Sequence, residues 1–180
     1  MAIPYKAVLV AILICSTTAS LAQRPPRGWR LPHAEELTDE ARNGSPSRFS
    51  KAVGDFNGDK VPDAVFVLTS TVYHGEALWV WLSQKNGTHR WINLTLNKGG
   101  ISYPLDALTM AVSTVRPGVV SYVCFEVPWK MPCDFSPAAA DHKLVLKNDS
   151  FSYFKPETSA SLYFWSHRLQ RFLAVMTTNE

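Results

Sequence analysis

The chain has 180 residues, of which 46% are hydrophobic and 18% charged, and its formal net charge is +3. A charge that mild excludes an electrostatic grip on nucleic acid as the main activity. The length, with a leader set aside, suits one domain with room for a real core.

Met1 to Ala22 reads as a secretory leader. Lys6 supplies the positive start, Ala7 to Cys15 is an apolar run too short to span a bilayer, and Ser20-Leu21-Ala22 fits small-x-small cleavage before Gln23. No later stretch approaches the apolar length of a membrane span, so the processed chain is expected to have no membrane partner. Residues 23–31, rich in Pro and Arg, read as an extended N-terminal arm, with Trp29 and Leu31 as pins to the body. Residues 32–180 read as a single α+β domain.

Pro32 to Arg42 reads as a short helix. Proline starts it, Glu35 and Glu36 lie in the first turn, Asn43-Gly44 ends it, and Ala34, Leu37 and Ala41 share one side. The expectation is a mainly antiparallel sheet, a meander, with this helix packed on one face. Arg48–Gly54 and Ala64–Ser70 read as the first two strands.

Between those strands lies Asp55-Phe-Asn-Gly-Asp-Lys-Val-Pro-Asp63. Oxygen donors at positions 1, 3, 5, 7 and 9 of a loop can wrap a hard cation. Here those positions are Asp55, Asn57, Asp59, the carbonyl of Val61, and Asp63. Three carboxylates so close repel one another, and a divalent cation removes that repulsion. The competing reading is a plain Asx/Gly turn, because Asn-Gly and Asp are common turn formers.

Gly54 to Val65 resembles the calcium-loop core of FG-GAP or VCBS-type repeats, known from integrin heads and many secreted bacterial proteins. The resemblance covers Phe49 to Leu68, occurs once, and implies one calcium ion bound between two β-strands. It does not carry a propeller over, since propellers need several copies. Position 6, glycine in the usual loop, is Lys60 here.

Further along, Ala77–Ser83 and Arg90–Leu96 are dense in β-branched and aromatic residues, and Asn86-Gly87 between them is a hairpin signal. Ala64–Leu68 and Leu78–Leu82 are apolar on both faces, as strands covered on both sides would be. Trp79 and Trp81 share one face of their strand. They read either as core under the N-terminal helix or as an aromatic surface for a glycan or a protein. Asp106–Val115 fits a strand or a short helix. Gly118–Glu126, His142–Lys147, Phe151–Phe154, Ala160–Trp165 and Gln170–Met176 complete the strands. The stretch Ser159 to Thr177 is similar to the tails of small bacterial secreted proteins carrying a single loop of this type, which implies a periplasmic or secreted location.

After loss of Cys15 with the leader, Cys124 and Cys133 remain, and an oxidising compartment favours their disulfide. It would enclose Trp129, Lys130 and Met131, a rigid group suited to anchoring a partner. No zinc signature, Gly-x-Ser-x-Gly elbow, phosphate loop or dinucleotide fingerprint occurs. The leading expectation is a calcium-binding domain with a non-catalytic role toward a periplasmic or extracellular protein or glycan. The alternatives are an inhibitor or immunity-type protein that blocks an enzyme, and a cell-wall or glycan hydrolase lacking a recognisable catalytic set.

Overall fold

The computed structural model describes residues 23–98, 107–123, 142–157 and 160–177. Among these residues eleven strands follow one another: β1 (Trp29–Arg30), β2 (Lys51–Gly54), β3 (Asp63–Ser70), β4 (Gly75–Ser83), β5 (His89–Lys98), β6 (Ala111–Val115), β7 (Gly118–Ser121), β8 (Lys143–Leu146), β9 (Ser150–Phe154), β10 (Ala160–Ser166) and β11 (Arg171–Thr177). They form a five-stranded sheet in the order β1-β3-β4-β5 with β2 also on β3, a four-stranded sheet β11-β10-β9-β6, and the hairpin β7-β8. All pairings are antiparallel.

The period of two explains the layering. Val65 and Val67 of β3 and Leu78, Val80 and Leu82 of β4 face Val112, Phe151, Tyr153 and Phe172 of the second sheet in one core. The rings there interlock: Phe151 lies 5.4 Å from Tyr163 and 5.4 Å from Phe172, and Trp165 lies 5.0 Å from Phe172. Burying each such ring stabilises the fold by roughly 1.5–3 kcal/mol. The outer face of the second sheet, with Leu162 and Val175, is covered by Tyr122 and Leu146 at the β7-β8 hairpin. The outer face of the first sheet carries Ala64, Phe66 and Leu68, packed against Trp29, Trp79, Trp81 and Trp91. Both-face apolarity of β3 and β4 thus follows from their place between two covered faces.

The expected α+β architecture is not found. Among the described residues 51% are in strands and 7% are helical, and no helix reaches seven residues, so no N-terminal helix packs on a sheet. In its place are two 3₁₀ turns, Ala34–Leu37 and Glu40–Gly44. The reason is local. The carboxylate of Asp39 accepts from the Ala41 N–H at 3.0 Å and starts a new turn where the helix would have continued. A helix this short has little intrinsic stability to resist that. Trp79 and Trp81 do share the outer face, but what lies on them is neighbouring aromatic rings and the N-terminal arm.

The first turn is tied down by a two-pronged ion pair. Arg30 donates to Glu36 at 2.6 and 2.8 Å, and Glu36 also accepts from the His33 N–H at 2.7 Å. The Arg30 hydrogen bond, opposed by burial, holds the Glu36 carboxyl below its ordinary range. A depressed carboxyl stabilises the fold above its unfolded pKa, and that contribution is lost as pH falls through the folded value. Glu36→Gln is therefore expected to cost about 1–2 kcal/mol at neutral pH. Urea unfolding should show the gap from the parent protein closing once pH is taken below the free-carboxylate range, near 4.

The ambiguous segment 106–115 resolves, over its described part, into an extended approach to β6. It is gripped from both sides. Arg42, fully buried, donates to the carbonyls of Leu108 (2.6 Å), Met110 (2.8 Å) and Arg48 (3.2 Å). Glu76 accepts from the N–H groups of Thr109 and Met110, each at 2.9 Å.

Candidate functional site

The Asp55–Asp63 loop joins β2 to β3, as its flanking patterns imply. Two residues pin it from within. Phe56 is completely buried, 5.0 Å from the Phe151 ring in the intersheet core. Asp63 is 1% exposed, and its carboxylate accepts from the backbone N–H groups of Phe56 (2.9 Å), Asn57 (3.4 Å) and Ser83 (2.8 Å). Burial pushes the Asp63 carboxyl up to about 6, against the pull of those three N–H donors; the charge of Asp59 adds to the rise.

With Phe56 turned inward, the alternating residues Asp55, Asn57 and Asp59 fold back over the loop's own backbone. Asp55 accepts from the N–H groups of Asp59 (3.0 Å) and Lys60 (2.9 Å). Asn57 accepts from the Asp59 N–H at 2.9 Å, and Asp59 accepts from the Val61 N–H at 2.8 Å. The Asn57 amide also donates to Asp59 and to the Ser83 carbonyl, both at 3.2 Å. The sharp turn expected at position 6 is present: Lys60 adopts φ +71°, and Gly58 adopts φ +75°. A side chain with a Cβ holds that left-handed conformation at a cost of about 1–2 kcal/mol.

Two residues far from the loop in sequence, Asn148 and Asp149, lie against it. Asp149 accepts from the Asp55 N–H at 3.1 Å and pairs with Arg116 at 3.3 Å. Asn148 packs so closely that a Cβ on Gly58 would sit 2.5 Å from its amide nitrogen, and a Cβ on Gly54 would sit 2.9 Å from Asp149. A Cβ at 54 would be crowded by the Phe56 ring as well as by Asp149, and one at 58 by the Asn148 amide in a backbone at φ +75° that already favours glycine. Nothing local in the sequence links residues 148 and 149 to residue 55; only the packing of one sheet on the other does.

The loop has the donor chemistry of a hard-cation site at Asp55, Asn57, Asp59 and the Val61 carbonyl. Asp63 differs from the expected role, since both its oxygens are engaged by buried backbone donors and it acts as an internal clasp. Among the described residues, no group of three His, Cys, Asp or Glu side chains is set closely enough to hold a metal ion. Cys124, Cys133, Trp129, Lys130, Met131 and the leader 1–22 lie outside the described residues.

A second feature is the row of rings on the outer face of the first sheet. Trp29 lies 6.0 Å from Tyr73 and 5.8 Å from Trp79; Trp79 lies 6.3 Å from Trp91; Trp91 lies 5.0 Å from Trp81; and Trp81 stacks on His89 at 4.9 Å. The alternation of β4 announces Trp79 and Trp81. The antiparallel register, which sets Trp91 opposite Trp81, supplies the rest.

No helix among the described residues is long and apolar enough to cross a membrane. Comparison of the chain with protein-family models, with curated proteins and with solved structures found no match in any of the three.

Proposed function

We propose that the protein is a secreted or periplasmic binding domain without catalytic activity, in which one calcium ion stiffens the Asp55–Asp63 loop. The observation that carries this reading is the loop's arrangement of acidic groups. Asp55 and Asp59 fold back beside one another with Asp149 on the Asp55 N–H, and among the described residues the ion pair at this end of the fold is the exposed Arg116 with Asp149. Asp55, Asn57, Asp59 and the Val61 carbonyl would hold the ion, and Asp63 would keep the loop's base fixed from behind. The ion's contribution would be neutralisation of the Asp55 and Asp59 carboxylates and stiffening of the loop. The secreted location rests on the leader pattern of Met1–Ala22.

A thermal melt in EGTA, followed by calcium titration, tests the proposal. A ligand that binds only the folded state adds about 2.7 kcal/mol at a hundredfold excess over Kd. For a chain of this size that is a rise of roughly 5–10 °C in Tm. Asp59→Asn is expected to abolish most of the rise. Superimposable melts with and without calcium would overturn the proposal.

A further inference from the structure

The chain's own N-terminal arm touches the ring row on the first sheet at Trp91, and that contact points to what the face accepts. The Trp91 indole N–H donates to the carbonyl of Arg24 at 3.0 Å. Pro25 and Pro26 follow, both half-buried, with Arg24 and Arg27 exposed on either side. A residue before proline is biased toward extended backbone, which favours an extended course through Arg24 and Pro25. The Trp29 N–H then donates to the Pro26 carbonyl at 3.0 Å, closing a turn through Gly28 at φ +85°. Glycine suits that turn because it takes positive φ without strain. Trp29 and Arg30 finish as the short edge strand β1, opposite Ser70 and Thr69.

The chemistry matches on both sides. Consecutive prolines have no N–H to lose against an apolar surface, and their segment offers carbonyls, while tryptophan offers a flat apolar ring and one N–H donor. Extended proline-rich segments dock on aromatic grooves for this reason, with little entropy left to lose. The arm leaves the row incompletely satisfied. The Trp79 indole N–H, closed off from solvent, has no acceptor among the described residues.

We propose that the tryptophan row of Trp29, Trp79, Trp81 and Trp91 is a binding site for an extended proline-rich segment of a partner protein, held in the resting molecule by residues 23–28 of the chain itself. The partner's segment carries adjacent prolines and places a backbone carbonyl on Trp91. The arm is a tethered competitor, present at an effective concentration on the order of millimolar. The inference rests on the aromatic face and is independent of the cation loop.

The test uses the chain with and without residues 23–28, and a synthetic blocked peptide of sequence Gln-Arg-Pro-Pro-Arg-Gly, titrated into the millimolar range while tryptophan fluorescence is read. The arm-less protein is expected to show saturable binding, at least tenfold weaker for the peptide with both prolines replaced by alanine. The intact chain is expected to bind at least tenfold more weakly than the arm-less one. An arm-less protein that keeps its far-ultraviolet spectrum yet gives no saturable change would overturn the proposal. So would equal binding of the alanine peptide, or a response to soluble oligosaccharides in place of the peptide. Dimerisation of the intact chain that the deletion abolishes would also overturn it, assigning the face to a second copy's arm.

If the deletion prevents folding, Trp91→Phe in the intact chain decides, since it removes the indole N–H and keeps an aromatic ring. Trypsin cleavage at Arg27–Gly28 should accelerate about tenfold, with a thermal melt close to that of the parent. An unchanged cleavage rate would overturn the proposal.

Discussion

Replacing Arg42 with alanine is expected to destabilise the protein by about 3–5 kcal/mol, the range seen when one partner of a buried charged network is removed. The guanidinium has no exposed surface and donates to three carbonyls, those of Leu108, Met110 and Arg48. Alanine leaves those acceptors buried without their donor and opens a cavity the size of a long side chain. It also removes the positive charge that acts on Glu76, whose carboxylate holds the N–H groups of Thr109 and Met110 from the other side. Burial lowers the Arg42 pKa, but an arginine so perturbed remains charged near neutrality. The loss should appear in chemical unfolding and as a fall in Tm of roughly 10 °C or more. Arg42→Lys should recover only part, because one ammonium cannot reproduce a planar fork that spans separate carbonyls. A cost below about 1 kcal/mol for the alanine variant would show that segment 108–110 is held by other contacts.

Asp63→Ala should rank second, at about 3–4 kcal/mol, since a buried donor left unsatisfied costs roughly 1–3 kcal/mol. Two donors, those of Phe56 and Ser83, have good geometry, and the third, Asn57, is longer at 3.4 Å. The consequence reaches past stability. Without the clasp, the backbone that sets Phe56 into the core and Asn57 toward Ser83 is no longer fixed, so calcium response should fall along with Tm. Asp59→Asn, by contrast, should lose calcium response while keeping the calcium-free Tm near that of the parent. That pair of outcomes separates a residue that builds the loop from one that faces the ion. Equal loss of calcium-free stability in both variants would contradict the distinction.

Local chemistry made much of this fold legible. Strands β3, β4, β9, β10 and β11 are visible as β-branched and aromatic runs between turn formers, and the both-face apolarity of β3 and β4 follows from their central place. The loop was visible from the spacing of Asp55, Asn57, Asp59 and Asp63, but not the division of labour within it. Asp63 becomes a clasp only because Ser83, brought alongside by the β3-β4 pairing, aims its N–H at it. No helix forms there because Asp39 competes for the backbone and because Arg42, the last residue of the expected helix, is drawn inward to the carbonyls of Leu108 and Met110, far away in sequence. Asp149 and Asn148 were illegible for the same reason. Their approach to Gly54 and Gly58 depends on one sheet packing on the other, which no local pattern encodes. Of the two residues expected to pin the N-terminal segment, Trp29 packs on the sheet and Leu31 is exposed, and the seat of Arg24 on Trp91 had no local signal.

The most direct test of the account is a two-dimensional amide NMR spectrum of the isotope-labelled protein, recorded in EGTA and again as calcium is added. Shifts are expected to concentrate at the amides that now donate to Asp55, Asn57 and Asp59, namely Asp59, Lys60 and Val61, with smaller ones at Asp55 beside Asp149. The amides of Phe56 and Ser83, held by Asp63, should move little. Unchanged spectra, or shifts centred elsewhere in the fold, would contradict a calcium site at this loop and leave it as a turn held by its own hydrogen bonds.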